Sequence, residues 1–409
     1  MPDTETLIYD WNLVDFRPPA HQVMLDDETL RDGLQSPSVR RPTIEQKLGL
    51  LHLMDGLQIE TVDIGLPGAG PHVMTDVERL AREIVDQRLS IRANCAARTV
   101  ESDILAVAEV SQRVGMPIEC CTFIGSSPIR TYTESWSLDY LERHTEDAVR
   151  LGVREGLPVM YVTEDSTRAD PETLSRLYKT AIRAGASRIC IADTVGHASP
   201  AGAAAVVGFA LRLIRQMGAA VGIDWHGHRD RGFDIANSIA AVEAGATRIH
   251  GAALGIGERV GNTPMDLLLV NMVLMGYLHQ DLSHLKDYVA MTSEICGVPV
   301  PANYPVFGRD AFRTATGVHA SAVIKAIKKG EPGIADTVYS GVPAHLVGRE
   351  QEIEVGPMSG RSNVVFWLEH HGFPATEPNI ERVHEVAKAS TTVLTKEEIL
   401  DVLDAQKPA

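Results

Sequence analysis

The chain has 409 residues, a formal net charge of −16, and 44% hydrophobic and 22% charged residues. That length exceeds one small core and suits a barrel-sized domain with a smaller appendage, while the negative charge opposes nonspecific binding to nucleic acid or acidic lipid. No apolar run approaches the roughly 20 residues of a membrane span, and the acidic start MPDTETLIYDWNLVDF lacks a signal-peptide pattern, so a cytoplasmic location is expected. Cys95, Cys120, Cys121, Cys190 and Cys296 have neither metal-type nor redox-type spacing and read as buried reduced thiols.

After an N-terminal segment, residues 1–22, β-type runs recur at intervals of roughly 30 residues, each followed by helical periodicity. They are VMLDDETL (23–30), IETVDIG (59–65), SIRANCA (90–96), PIECCTFIG (117–125), PVMYVTED (158–165), RICIADTVG (188–196), VGIDWHGH (221–228) and RIHGAALG (248–255). Apolar cores with polar or glycine-rich tips fit parallel strands buried on both faces, and eight in succession predict a closed (β/α)8 TIM barrel over residues 23–280. Residues 281–300 are expected to form a linker helix ending near the turn GVPVPANYP. Residues 301–409 then form a small, mostly helical C-terminal appendage containing TATGVHASAVIKAIKKG and VGPMSGRSNVVFWLEHHG.

In such barrels chemistry sits at the C-terminal ends of the strands, and here those tips carry Arg31-Asp32, Asp63, Glu164-Asp165, Asp193-Thr194 and His226/His228. The two histidines are spaced i, i+2, so on a strand both face one side and can reach one cation; two hydrogen-bonded polar residues are the plainer alternative. Asp32, on the strand that closes against the eighth, makes Asp plus two His a plausible facial set for Zn2+, Mn2+ or Fe2+. Arg31 is a salt-bridged surface residue in one reading and a positive charge for a developing oxyanion in the other. Asp193-Thr194 fit an Asx-type turn or a seat for a substrate carboxylate. The glycines of GIGERVGNTP (255–264) allow close backbone approach to phosphate or simply tight turns, and His319 sits at a probable helix start outside the barrel.

Taken together, DETLRDGLQ, VTEDSTRAD, ADTVGHASP, HGHRDRGFDIANSIAAVEAGA, GIGERVGNT, TGVHASAVIK and VGPMSGRSN resemble the acetyl-CoA-dependent 2-isopropylmalate, citramalate and homocitrate synthases, metal-dependent barrels related to hydroxymethylglutaryl-CoA lyase. The resemblance implies a divalent metal (Zn, Mn or Mg) held by Asp32, His226 and His228, with Asn262 as a further contact. It implies that Arg31 and Thr194 hold the keto oxygen and carboxylate of a 2-oxo acid, with Asp63 beside them, and that Gly255, Gly257 and Gly261 line the acetyl-CoA. Arg31, Glu164, His319 and Tyr339 would form the catalytic set, the last two reaching a partner's barrel in a domain-swapped homodimer.

Departures from the family pattern are also legible. Arg229 stands where Asn is usual and is expected to pair with Asp63 or Asp193 or to hold a more anionic ligand; Leu34 and Asp63 stand where Glu is more common. In a chain of 409 residues, the leucine-sensing domain of long isopropylmalate synthases is not expected. Arg130 grips a distal substrate carboxylate in one reading and pairs with Glu134, Glu164 or another local acid in the other, so the 2-oxo acid stays open. A lyase on the same barrel and a catalytically silent paralogue are the competing functions.

Overall fold

Eight parallel strands close on themselves in chain order: β1 (Met24–Asp27), β2 (Thr61–Asp63), β3 (Arg92–Arg98), β4 (Glu119–Gly125), β5 (Val159–Glu164), β6 (Arg188–Asp193), β7 (Gly222–Gly227) and β8 (Arg248–Gly251). The computed structural model describes residues 7–14 and 18–404. Closure is made by β1, which pairs with β2 on one side and β8 on the other, Asp26 lying opposite both Thr61 and His250. Each strand lies where the sequence places it; six of the eight stop sooner, while β4 ends at the expected Gly125 and β3 runs two residues further, to Arg98. The polar tips turn the chain: Asp27 Oδ1 accepts the Thr29 N–H at 2.8 Å, and Asp193 takes the N–H groups of His197 and Ala198.

The helices between strands start where local chemistry dictates. Thr43 and Gln46 form a capping box before the helix Ile44–Gly56, and Ser127, Ser137, Asp170 and Ser199 cap four later helices. Glycines in the left-handed region end others, as at Gly185 and Gly245. Because each strand feeds a helix N-terminus, the rim at the strand C-termini is ringed by helix starts, which favour negative ligands.

A TIM barrel is ordinarily filled by branched apolar side chains. Here the lower interior is charged. Arg248 is 2% exposed and pairs with the Asp224 carboxylate and with Glu119 at 2.6 Å, while Arg188 reaches the other Asp224 oxygen. His250 lies between Glu28 and Asp224, each ring nitrogen 2.8 Å from a carboxylate oxygen. Removing one partner from such a cluster leaves an uncompensated buried charge.

The helix Leu285–Cys296, expected as a linker, belongs to the barrel unit: the Tyr288 hydroxyl donates to Asp27 and lies 3.3 Å from Thr29 Oγ1. Residues 7–14 and 300–404 form the second unit. In it β9 (Arg313–Thr314) pairs in parallel with β10 (Glu352–Ile353); helices Gly317–Lys328 and Pro332–Thr337 pack around Ala320, Val323, Ile324 and Ala335, and helices Arg361–His370, Glu377–Ala389 and Lys396–Asp404 bury a second core around Val364, Leu368, Val383 and Ile399. The five cysteines are buried and free, and no described helix is long and apolar enough to cross a membrane.

The charged interior predicts an alkaline dependence of stability. Burial opposes charge on His250, but Asp26, Asp224 and Glu28 outweigh it and raise the pKa to about 10, against about 6.5 in an unfolded chain. Its stabilisation is therefore complete below about pH 6.5 and lost as pH rises towards 10, an effect of the order of a few kcal/mol. Urea unfolding from pH 6 to 10 is expected to show that decline in the native protein and its absence in His250→Gln; parallel curves would refute it.

Candidate active site

At the C-terminal rim the barrel opens into a cavity of about 310 Å³. Its lining shows the strand period of two: Cys121 and Phe123 on β4, Met160, Val162 and Glu164 on β5, then Cys190 and Ala192 on β6. The same alternation turns His226 inward on β7 and His228 inward just beyond it. The residue between them points the other way, where a Cβ on Gly227 would meet the Trp225 indole nitrogen at 2.9 Å, so any side chain there would have to displace the buried indole.

The Nε2 atoms of His226 and His228 lie 3.2 Å apart, and each is 3.9 Å from Asp32 Oδ2. Two imidazole nitrogens that close cannot both present hydrogen to one another. Burial, reinforced by the neighbouring His226, lowers the His228 pKa to about 4, so at neutral pH its ring is uncharged and can offer a lone pair. Burial opposes ionisation of Asp32, but Arg31 and the two histidines outweigh it and hold the carboxyl below its usual range. Asn262 Nδ2 donates to Asp32 Oδ1 at 2.9 Å, which leaves the buried Asn262 Oδ1 with no hydrogen-bond partner among the described residues. Two facing imidazoles, a carboxylate and an orphaned amide oxygen form a donor set that fits a divalent cation.

Gly255, Gly257 and Gly261 all adopt positive φ, and their crowding shows why. A Cβ on Gly257 would run into the Asn262 amide and Asp32, and one on Gly261 into the Gly255 carbonyl. The loop is thus folded tightly over the Asp32–Asn262 pair, with Glu258 N–H also reaching Asp32 Oδ1 at 3.2 Å.

Arg31 is held by three acids: Nε is 2.6 Å from Asp63 Oδ2, Nη1 3.1 Å from Asp32 Oδ2, and Nη2 3.1 Å from Glu28 Oε1. Asp63 feels burial more than Arg31, and its pKa rises to about 7. Thr194 lines the cavity, its hydroxyl accepting the Asp165 N–H at 2.8 Å. Glu164 lines it too, and burial raises its pKa.

Arg229 differs from expectation, while Arg130 takes one of the partners expected of it. Arg229 pairs with neither Asp63 nor Asp193; its Nε is 3.9 Å from Asp234 Oδ2, because Asp63 is taken by Arg31 and Asp193 by the turn that follows it. The rim cation is instead Arg259, which lines the cavity, chelates Asp230 at 2.9 Å through two nitrogens, and donates to the Thr194 carbonyl at 2.7 Å. Arg130 folds across Gly125, pairs with Glu134 at 2.7 Å and faces the Trp136 ring at 5.6 Å, without lining the cavity. His319 and Tyr339 belong to the second unit, where both are exposed and their rings stack with centroids 4.2 Å apart.

The sequence reading passed over Glu28, His250 and Arg259. For the first two the signal was present: Asp26 and Glu28, like Arg248 and His250, are spaced by two and so face the barrel interior.

Residues 22–292 match the HMGL-like family model. The chain is 34% identical over 374 residues to homocitrate synthase AksA of Methanopyrus kandleri, a match covering 90% of this chain and 86% of that protein. It is 30% identical over 380 residues to a 2-isopropylmalate synthase of Vibrio vulnificus, covering 89% and 69%. Among solved structures, hydroxymethylglutaryl-CoA lyase from Pseudomonas aeruginosa superposes with a TM-score of 0.56 at 16% identity, over 68% of this chain and 94% of that one. The HMG-CoA lyase from Brucella melitensis gives 0.54 at 15%, over 67% and 99%. These two share the fold; the sequence matches carry the kinship, and by them the chain belongs to the HMGL-like family.

Proposed function

We propose that the chain catalyses a divalent-metal-dependent condensation of acetyl-CoA with a 2-oxo acid bearing a short apolar tail, giving a 2-hydroxy diacid and free CoA. The observation that carries this reading is the convergence of Asp32, His226 and His228 beside the fixed Arg31 guanidinium, in a cavity also lined by Ala96, Phe123, Met160, Val162 and Ala192. The synthase names of the sequence relatives, whose matches span about nine tenths of the chain, favour condensation over the lyase reaction.

Asp32, His226 and His228 would hold the cation, with Asn262 Oδ1 completing the set. When bound, the cation supplies Lewis-acid polarisation of the ketone. Arg31, kept in place by three carboxylates, presents fixed positive charge to the same oxygen as it gains electrons. Thr194, at the end of β6, holds the substrate carboxylate. A base removes a proton from the acetyl methyl group, that carbon bonds to C2 of the oxo acid, and the ketone oxygen takes up a proton to become the hydroxyl. Water then cleaves the thioester, leaving a second carboxylate and the CoA thiol. We assign the base to His319, assisted by Tyr339 and Glu164, and the reading extends to a cytoplasmic homodimer in which residues 301–409 of each chain serve the other's barrel. The metal's identity, zinc, manganese or magnesium, is set by supply as much as by this ligand set.

The tail preference follows from the cavity. Both arginines that line it, Arg31 and Arg259, are already paired with acids, and Arg130 is engaged by Glu134 outside it. A distal carboxylate would be desolvated against apolar walls, whereas a short alkyl group gains roughly 0.8 kcal/mol per buried methylene.

CoA release, followed with a thiol reagent in the presence of Mn2+, is expected with pyruvate and 2-oxoisovalerate and to be far weaker with 2-oxoglutarate. Silence across the panel would sink the condensation reading, and a preference for 2-oxoglutarate the apolar tail. Asp32→Ala and His228→Ala are expected to lose metal and turnover while keeping the thermal unfolding profile. Arg130→Ala is expected to leave relative kcat/KM values across the panel within about threefold, a change below about 0.7 kcal/mol; a swing towards apolar acids would restore the carboxylate-gripping role. If the appendage serves a partner chain, mixing inactive Asp32→Ala with inactive His319→Ala restores activity, and none returns if each chain serves itself.

A further inference from the structure

We infer that Glu28 is the positioning residue of this site: it sets the tautomer in which His226 meets the metal and aims the Arg31 guanidinium, an inference that rests on the metal reading above. Glu28 lies just past the end of β1, buried and beside His226. Its carboxylate is shared by three nitrogen-bearing side chains. Oε1 is 3.1 Å from Arg31 Nη2 and 2.8 Å from His250 Nδ1, and Oε2 is 2.9 Å from His226 Nδ1. His226 approaches Oε2 closely but off the line of an ideal hydrogen bond, and no other donor among the described residues serves that oxygen.

A carboxylate only accepts, so the proton of a neutral His226 ring belongs on Nδ1, facing Glu28. That leaves the Nε2 lone pair directed to the point shared with His228 Nε2 and Asp32 Oδ2. Glu28 cannot swing away from this duty. His250 is anchored at its far nitrogen by Asp224, 2.8 Å away, and Arg31 by Asp63, so both grip Oε1 from fixed positions and turn Oε2 towards His226. One side chain thereby couples the ligand histidine to the arginine that faces the same substrate oxygen.

A carboxamide of the same size cannot replace it. With its oxygen towards His226, its NH2 group meets Arg31 Nη2 and the His250 N–H. Turned over, the NH2 group faces His226 Nδ1 and drives the ring proton to Nε2, where it blocks ligation. Partners of this kind typically contribute 10–100-fold in metal affinity.

The test is a Mn2+ titration of the full-length chain, reading free Mn2+ by its EPR signal, with native protein, Glu28→Gln and His228→Ala. Glu28→Gln is expected to bind about 10–100-fold more weakly while unfolding thermally as a folded protein does, and its Co2+ d–d spectrum is expected to shift. Binding within about threefold of native, with His228→Ala empty, overturns the role of Glu28 and leaves the metal reading standing; a native protein that binds no Mn2+ overturns both. Should Glu28→Gln not fold, the native protein decides through its 15N-histidine spectrum, with the His226 signals identified by their loss in His226→Ala. A proton on Nδ1 is the expected result, and a proton on Nε2 refutes the inference.

Discussion

Inside the barrel, Asp26, Glu28, Asp224, Arg248 and His250 are held away from water, and their mutual neutralisation is the condition on which the rim above them depends. Ions in such a place are tolerated only when paired and hydrogen-bonded, since each alone would cost several kcal/mol. Asp224 illustrates the solution: one carboxylate answers Arg188, Arg248 and His250, and these attractions overcome burial to hold it ionised well below the usual range. The chain continues upward through His250 and Glu28 to Arg31 and His226. Structural ion pairs and the proposed chemistry are therefore one network, and its lower members fix the direction in which its upper members point.

That continuity explains an unusual allocation of charge. Acidic groups outnumber basic ones around Arg31; the His228 ring is uncharged at neutral pH, so among the described residues Arg259 is the further cation lining the cavity. A divalent cation added at Asp32, His226 and His228 would balance the surplus, and an anionic oxo acid would then find positive potential at the metal and apolar wall beyond it. Selectivity in this picture resides in the contrast between the two halves of one small cavity.

Much of this was legible in the sequence, and the reason lies in periodicity. A period of two in the strands and helical spacing between them specify eight βα units without reference to any contact, so the barrel and the inward side of His226 and His228 follow directly. Strand ends were less legible, because side chains such as Asp27 and Asp193 capture nearby N–H groups and stop the ladder early. Partner choice was the least legible. Arg229 was expected against Asp63 or Asp193, but Arg31 donates to Asp63 at 2.6 Å while standing 32 residues away in sequence, and it claims that acid. Arg130 has two readings in the sequence, and the helical turn that brings Glu134 within 2.7 Å of its guanidinium could not be weighed against a substrate from spacing alone.

The proposed ligand group would be drawn from Asp32 after the first strand, His226 and His228 at the seventh, and Asn262 after the eighth, so it straddles the seam where β1 meets β8. No partly assembled sheet can hold it, because until that last pairing forms, Asp32 and Asn262 lie on opposite free edges, separated by 230 residues of chain. A growing polypeptide would expose no competent ion trap until the final unit had emerged and docked. Metal capture would then be a late, all-or-none event in the life of the chain, which protects the half-made protein from scavenging whatever cation it meets first.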